Sequence, residues 1–231
     1  MTIAILSTLF LLLVLVMAGG VIGLFSRYLT GRARTGAVAV FVSWLLYAGV
    51  MGYAGIIASK KPPGPAFLLV PVLLFLVTFL TRHPGVRTFA QRVPVELLLG
   101  LQGFRVFVEL GFHELYRLHQ VPRMLTFEGA NFDIVVGLTA PLVAWLYARG
   151  KISTVVVRAW SFAGIVILAN IIVRAVLTVP GPLNVLHTEV PNTAFGVFPF
   201  SFIPGFLAPL ALCLHVLLLR SVPRASDSQP G

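Results

Sequence analysis

Residues 95–119 read VELLLGLQGFRVFVELGFHELYRLH, a run apolar and long enough to cross a bilayer that still carries Gln102, Arg105, Glu109 and His113 in its middle. At 100° per residue these four fall within a sector of roughly 80° on one helical face, and Tyr116 joins them. An ionised group in hydrocarbon costs at least ~2.5–3.5 kcal/mol, so the stripe has to face protein or water. A chain that hides such a stripe needs other apolar helices around it. Composition supplies them: 58% of the 231 residues are hydrophobic and 10% are charged. That balance excludes a soluble globular domain and predicts an all-α, polytopic transmembrane helical bundle.

Seven spans follow from the apolar runs, at about 3–25, 37–58, 65–80, 95–118, 132–148, 153–179 and 197–219. They make one domain over residues 1–220, with 221–231 as a polar tail expected to be disordered. No basic residue precedes the first run, which argues against a standard signal peptide. The small residues Ala48, Gly52 and Gly55 in span two, and Gly137, Ala140, Ala144 and Ala148 in span five, predict close helix–helix contacts. Lys60-Lys61-Pro62-Pro63 reads as a tight turn, and span three as a lipid-facing wall. Residues 26–36 and 81–94 read as arginine-bearing loops. Pro199, Pro204 and Pro209 predict that span seven is kinked or starts partly unwound.

The formal charge of +10 does not indicate nucleic acid, because the basic residues sit in short connections between apolar runs. There they set topology. One side collects Arg27, Arg32, Arg34, Arg82, Arg87, Arg92, Arg149, Lys151, Arg158, Arg220 and Arg224; the other has only Lys60, Lys61, Arg117 and Arg123. The positive-inside rule then puts the N-terminus outside and the C-terminus in the cytoplasm. With those directions Arg105, Glu109 and His113 of span four, Asp133 of span five, and Asn170 and Arg174 of span six converge on the outer half of the bundle. His215 falls near the cytoplasmic end. Arg105 and Glu109, one turn apart, are expected to touch each other or a shared partner. Asn131 or Asp133 is expected to cap span five.

Several sharper chemistries fail on spacing. A zincin helix starting at His113 would need its second histidine at position 117, which is Arg117. A looser outer-mouth metal site would draw on His113, His119, Glu128, Asp133, His187 and Glu189. A transmembrane haem wants two histidines at one depth, and a retinal Schiff base wants a lysine inside a span. The lone cysteine, Cys213, allows neither an intramolecular disulfide nor a cysteine zinc cluster. No nucleophile elbow, P-loop or dinucleotide fingerprint is present, so no catalytic residue is named and the reading leans away from an enzyme. Metal and cofactor stay unknown.

RVFVELG at 105–111 and TFEGANFDIVVGL at 126–138 resemble a set of small uncharacterised bacterial integral membrane proteins, over about residues 94–220. The resemblance implies a multi-pass protein of the bacterial inner membrane and supplies no catalytic residue. Three readings stay open. Arg105, Glu109, His113, Asp133, Asn170 and Arg174 bind a small polar or anionic solute, as in a transporter or sensor. Alternatively they form a closed structural charge network in an accessory subunit of a membrane complex, or in a homo-oligomer. In the third, an outer-mouth metal serves a membrane enzyme.

Overall fold

The computed structural model describes residues 1–59 and 64–221. The expected turn at Lys60-Lys61-Pro62-Pro63 and the tail beyond Ser221 lie outside the described residues. In chain order the helices are α1 (Ile3–Tyr28), α2 (Gly31–Tyr53), α3 (Ala66–Leu74, running into a π-helical stretch, Phe75–Leu80), α4 (Pro84–Arg92), α5 (Val95–Leu101), α6 (Arg105–Arg117), α7 (Asp133–Ala148), α8 (Thr154–Leu177) and α9 (Ala208–Ser221). A 3-10 turn, Gln102–Phe104, joins α5 to α6, and a π-helical turn, Ile203–Leu207, leads into α9. No strand occurs among the described residues. Four helices are long and apolar enough to cross a membrane, Ile3–Tyr28, Gly31–Tyr53, Thr154–Leu177 and Ile203–Ser221; a fifth is added if Ala66–Leu80 and Pro84–Arg92, bent by 80°, count as one.

Two sequence-derived loops turn out to be helical. Only Leu29 and Thr30 separate α1 from α2, so Arg32 and Arg34 ride on the first turns of α2. The expected loop 81–94 contains α4, which Pro84 starts and the His83 ring caps by accepting from the Gly85 N–H at 3.1 Å. The helix is amphipathic at a 3.6-residue period: Val86, Phe89 and Ala90 are buried, while Arg87 and Arg92 are exposed. Arg220 of α9 bridges the bend between α3 and α4, its guanidinium donating to the carbonyls of Leu80 and His83.

The prolines account for how α2 is held. A proline inside a helix cannot bond the carbonyl four residues earlier. For Pro71 in α3 that carbonyl is Phe67, and the Tyr47 hydroxyl donates to it at 3.1 Å. For Pro209 in α9 it is Gly205, and Trp44 Nε1 donates to it at 2.7 Å. Two orphan acceptors are thus satisfied by the polar tips of two aromatics one turn apart on α2. The small-residue stripe of the same helix completes the contact: Ala48 is fully buried, and a Cβ on Gly52 would overlap the Ser201 side chain.

At the centre stands the α5–α6 column. It packs on α7 and α9, with α1 against α6 and α8 closing the ring against α7 and α9. The core there is Leu98, Leu99, Leu115, Leu214 and Leu218, none more than 1% exposed, and Arg105, Gln102, Glu109 and His215 are as deeply buried. Gly137 makes the α6–α7 contact possible, because a Cβ there would come within 2.8 Å of the Val106 nitrogen. Ala140 is buried on the same side, whereas Ala148, expected in the contact, is exposed.

Candidate functional site

The site is organised by residues 126–133, TFEGANFD, an irregular segment that runs down beside α6 before α7 begins. On α6, His113, Glu109 and Arg105 are each one turn apart, about 6 Å per step. The segment meets them in order. Phe127 stacks on the His113 ring at 5.1 Å between centroids, and Glu128 lies 3.4 Å from His113 Nδ1. The Asn131 amide donates to both oxygens of Glu109, at 2.7 and 2.8 Å, and to the Leu125 carbonyl at 3.0 Å. Asp133 takes the Arg105 guanidinium on both oxygens, through Nη2 and, at 2.6 Å, through Nε. The segment is buried at Thr126, Asn131 and Asp133 and exposed at Glu128, Gly129 and Phe132, and its buried backbone survives because protein satisfies it. Here the segment also bonds to itself, from Gly129 and Asn131 N–H to the Thr126 carbonyl. Gly129 is required, since a Cβ would come within 2.7 Å of the Met124 Cα.

Arg105 is held on a second side by α9. Its Nη1 lies 2.8 Å from His215 Nε2, and His215 Nδ1 lies 3.0 Å from the Ser161 hydroxyl. A guanidinium only donates, so Nε2 accepts and the ring proton sits on Nδ1. That proton goes to Ser161 Oγ, whose own proton reaches the His215 carbonyl at 3.2 Å. Gly164 makes room for the ring; a Cβ there would overlap it. His215 is therefore at the level of Arg105, not near the cytoplasmic end as counting from residue 197 places it. The helix does not start there: residues 197–201 turn, as the prolines predict, and the π-helical turn opens only at Ile203.

Of the six predicted residues, Arg105, Glu109 and Asp133 come together, but not as the expected pair. Arg105 goes to Asp133 and Glu109 to Asn131. The two halves are linked because Asn131 Oδ1 accepts from the Asp133 N–H at 3.0 Å, the local cap expected for α7. Asn170 and Arg174 form a separate unit: Arg174 Nε donates to Asn170 Oδ1 at 2.9 Å, and Asn170 Nδ2 donates to the Ala130 carbonyl at 2.9 Å. His113 stays at the upper end with Phe127. Asn131, His215 and Ser161 were not singled out from sequence as site residues. The signal for His215 was a lone polar side chain sharing a face with Ala208 and Ala211.

A cavity of about 80 Å³ opens beside this cluster, between α3, α6, α8 and α9. Arg105, Glu109 and Asp133 form part of its wall, and Phe112, Leu168 and Phe195 much of the rest. At its rim lie Leu69, Ile172, Val176, Pro204 and Ala208, all apolar and all half-exposed. Every nitrogen of Arg105 already has a partner, and its charge is balanced by Asp133. Glu109 has no lysine or arginine within ion-pair distance among the described residues. Of the ionisable groups in the wall, Glu109 is the one without an ion partner among the described residues; its oxygens are held there by the neutral Asn131 amide alone.

Of the residues considered for an outer-mouth metal, His113 and Glu128 lie together, while Asp133 is taken by Arg105 and Glu189 by the Arg123 N–H at 2.8 Å. Among the described residues no three histidine, cysteine, aspartate or glutamate side chains come close enough to hold a metal ion. No curated protein and no solved structure matches the chain. A family model covers residues 62–222, from the chain just before α3 to just past α9, and so takes in the cluster, the cavity and the segment between α6 and α7. The chain belongs to the family described as Domain of unknown function (DUF8737).

Proposed function

We propose that the protein is a seven-crossing membrane protein of the bacterial inner membrane, N-terminus outside and C-terminus cytoplasmic, which binds a lipid-soluble molecule with a small polar or cationic end, as a transporter or a sensor. The shorter α7 and the charged α5–α6 column supply the crossings that length and apolarity do not count by themselves. The column passes because its ionised groups face protein, and α7 because the 126–132 segment completes the depth its 16 residues lack.

The single observation that carries the ligand reading is the cavity, with an apolar half-exposed rim and Glu109, unbalanced by any cation, in its wall. An apolar rim favours entry sideways from the hydrocarbon. An unbalanced carboxyl favours a hydrogen-bond donor or a cation over an anion. The anion reading fits Arg174 better than Arg105. Its two Nη nitrogens take no partner among the described residues, and only Nε is held, by Asn170.

A thermal-shift screen on the purified protein tests this, comparing long-chain amines and alcohols with organic acids and phosphates. A long-chain amine at 100 times its dissociation constant should stabilise the wild type by about 2.7 kcal/mol. Ala208→Trp, which blocks the rim, should lose that gain, and Glu109→Gln should lose it for amines while keeping it for alcohols. Stabilisation only by anions, lost in Arg174→Ala, moves the site to Arg174. A wild type stabilised by nothing leaves the accessory-subunit reading in front.

A further inference from the structure

Three arginines crowd the two-residue connector between α1 and α2: Arg27 in the last turn of α1, and Arg32 and Arg34 in the first turns of α2. All three are exposed. Among the described residues none of them has an Asp or Glu within ion-pair distance. Among the described residues their one polar contact is Arg27 over the Tyr28 ring, 5.9 Å from its centroid. Beside Arg34 the two helices part to leave an open groove of about 490 Å³. Ser26, Arg34 and Thr35 line its connector end, and Ile22, Val38 and Val42 line it farther along both helices. Behind the groove the Phe41 ring packs on Phe25 at 6.0 Å and on Phe206 at 5.5 Å between centroids, and the other attachments of α2 lie past it, at Trp44, Tyr47, Ala48 and Gly52.

We propose that this groove binds an anionic phospholipid, with its phosphate on Arg34 between the Ser26 and Thr35 hydroxyls and one acyl chain along Ile22, Val38 and Val42. The order of chemistry along the groove, cation and hydroxyls first and branched aliphatics after, is the order of a phospholipid from headgroup to tail. A guanidinium matches phosphate in charge and in fork geometry. A free phosphate would use only the connector end and leave the trough unfilled. An apolar helix from a partner would fill the trough and leave Arg34 without a counter-charge. The site is separate from the cavity beside Glu109 and does not depend on which ligand that cavity takes.

The test is lipid retention by the full chain in mild detergent, read by native mass spectrometry. The probes are phosphatidylglycerol, phosphatidylcholine with the same acyl chains, and glycerol 3-phosphate. Phosphatidylglycerol should bind about fivefold more tightly than phosphatidylcholine, the discrimination one surface arginine supplies, and glycerol 3-phosphate should not be retained. Arg34→Gln should bring phosphatidylglycerol down to the phosphatidylcholine level. Val38→Trp, which fills the trough and keeps the arginine, should weaken both lipids. Arg34 is exposed and its side chain has no polar partner among the described residues, so an unchanged unfolding temperature for Arg34→Gln separates lost lipid from a lost fold. Equal retention of the two lipids by the wild type, a preference that survives Arg34→Gln, retention unchanged in Val38→Trp, or glycerol 3-phosphate bound as tightly as the lipid would each overturn the proposal.

Discussion

The helices at Gly31–Tyr53 and Ile203–Ser221 are almost equally apolar, yet half of the second one's apolar window is buried and only 11% of the first one's. Hydropathy identifies a helix that suits a membrane; it does not say what the helix touches. The difference lies in a few side chains. The second helix carries His215, which has to find partners, and Ala211, small enough to let the α5–α6 column close. The first has no ionisable group past Arg34 except tyrosines. It is pinned at Phe41, Trp44, Tyr47, Ala48 and Gly52, and much of the rest is open to surroundings that the fold itself does not provide.

That contrast can be broken hardest at the ion pair beneath the inner helix. Asp133→Ala leaves Arg105 buried with only a neutral histidine, and should cost about 3–5 kcal/mol in a denaturant titration of the purified protein. Asp133→Ala combined with Arg105→Met should recover much of that loss, because no unpaired charge remains. A double variant as unstable as the single one would mean that the pair does more than neutralise charge. Next in size is Gly164→Val, which forces the His215 ring out of its place and should cost roughly 1–3 kcal/mol by overpacking. Trp44→Phe tests the outer helix at its pin. It deprives the Gly205 carbonyl of its donor and should cost about 1–3 kcal/mol, the low end being favoured by the half-exposed position of Trp44. Smallest is Leu46→Ala, between the pins and 65% exposed, which should stay within about 0.5 kcal/mol. A loss above 2 kcal/mol there would show that α2 has a protein neighbour on its open side.

Much of this was readable from residue spacing. The polar stripe of α6 announces itself, and the small residues Ala48, Gly52, Gly137 and Ala140 mark contacts that the structure makes. The pairing was not readable. Glu109 sits one turn from Arg105, and facial geometry alone would join them. The irregular segment instead delivers Asn131 to one and Asp133 to the other, and its register against α6 has no periodic signature. The depth of His215 is illegible for a similar reason: a count from the first apolar residue of span seven runs too deep, because residues 197–201 turn before helix begins. The α4 helix is masked in the sequence because Arg87 and Arg92 interrupt a short apolar period of only three buried residues, Val86, Phe89 and Ala90.

The descending segment also imposes an order on biosynthesis. The ribosome makes Arg105 28 residues before Asp133 and 110 before His215. A helix with an unneutralised arginine at its middle is a poor substrate for release into lipid. On the proposed seven-crossing topology, its neutralising partner arrives within the same helical hairpin, as α7 begins, so that residues 95–148 would leave the translocation channel as a pair. The histidine docks last, when the C-terminal helix is complete. A nascent chain halted after Ala148 should therefore integrate its 95–117 helix, and one carrying Asp133→Ala should hold that helix at the channel, where crosslinking to the translocon would detect it.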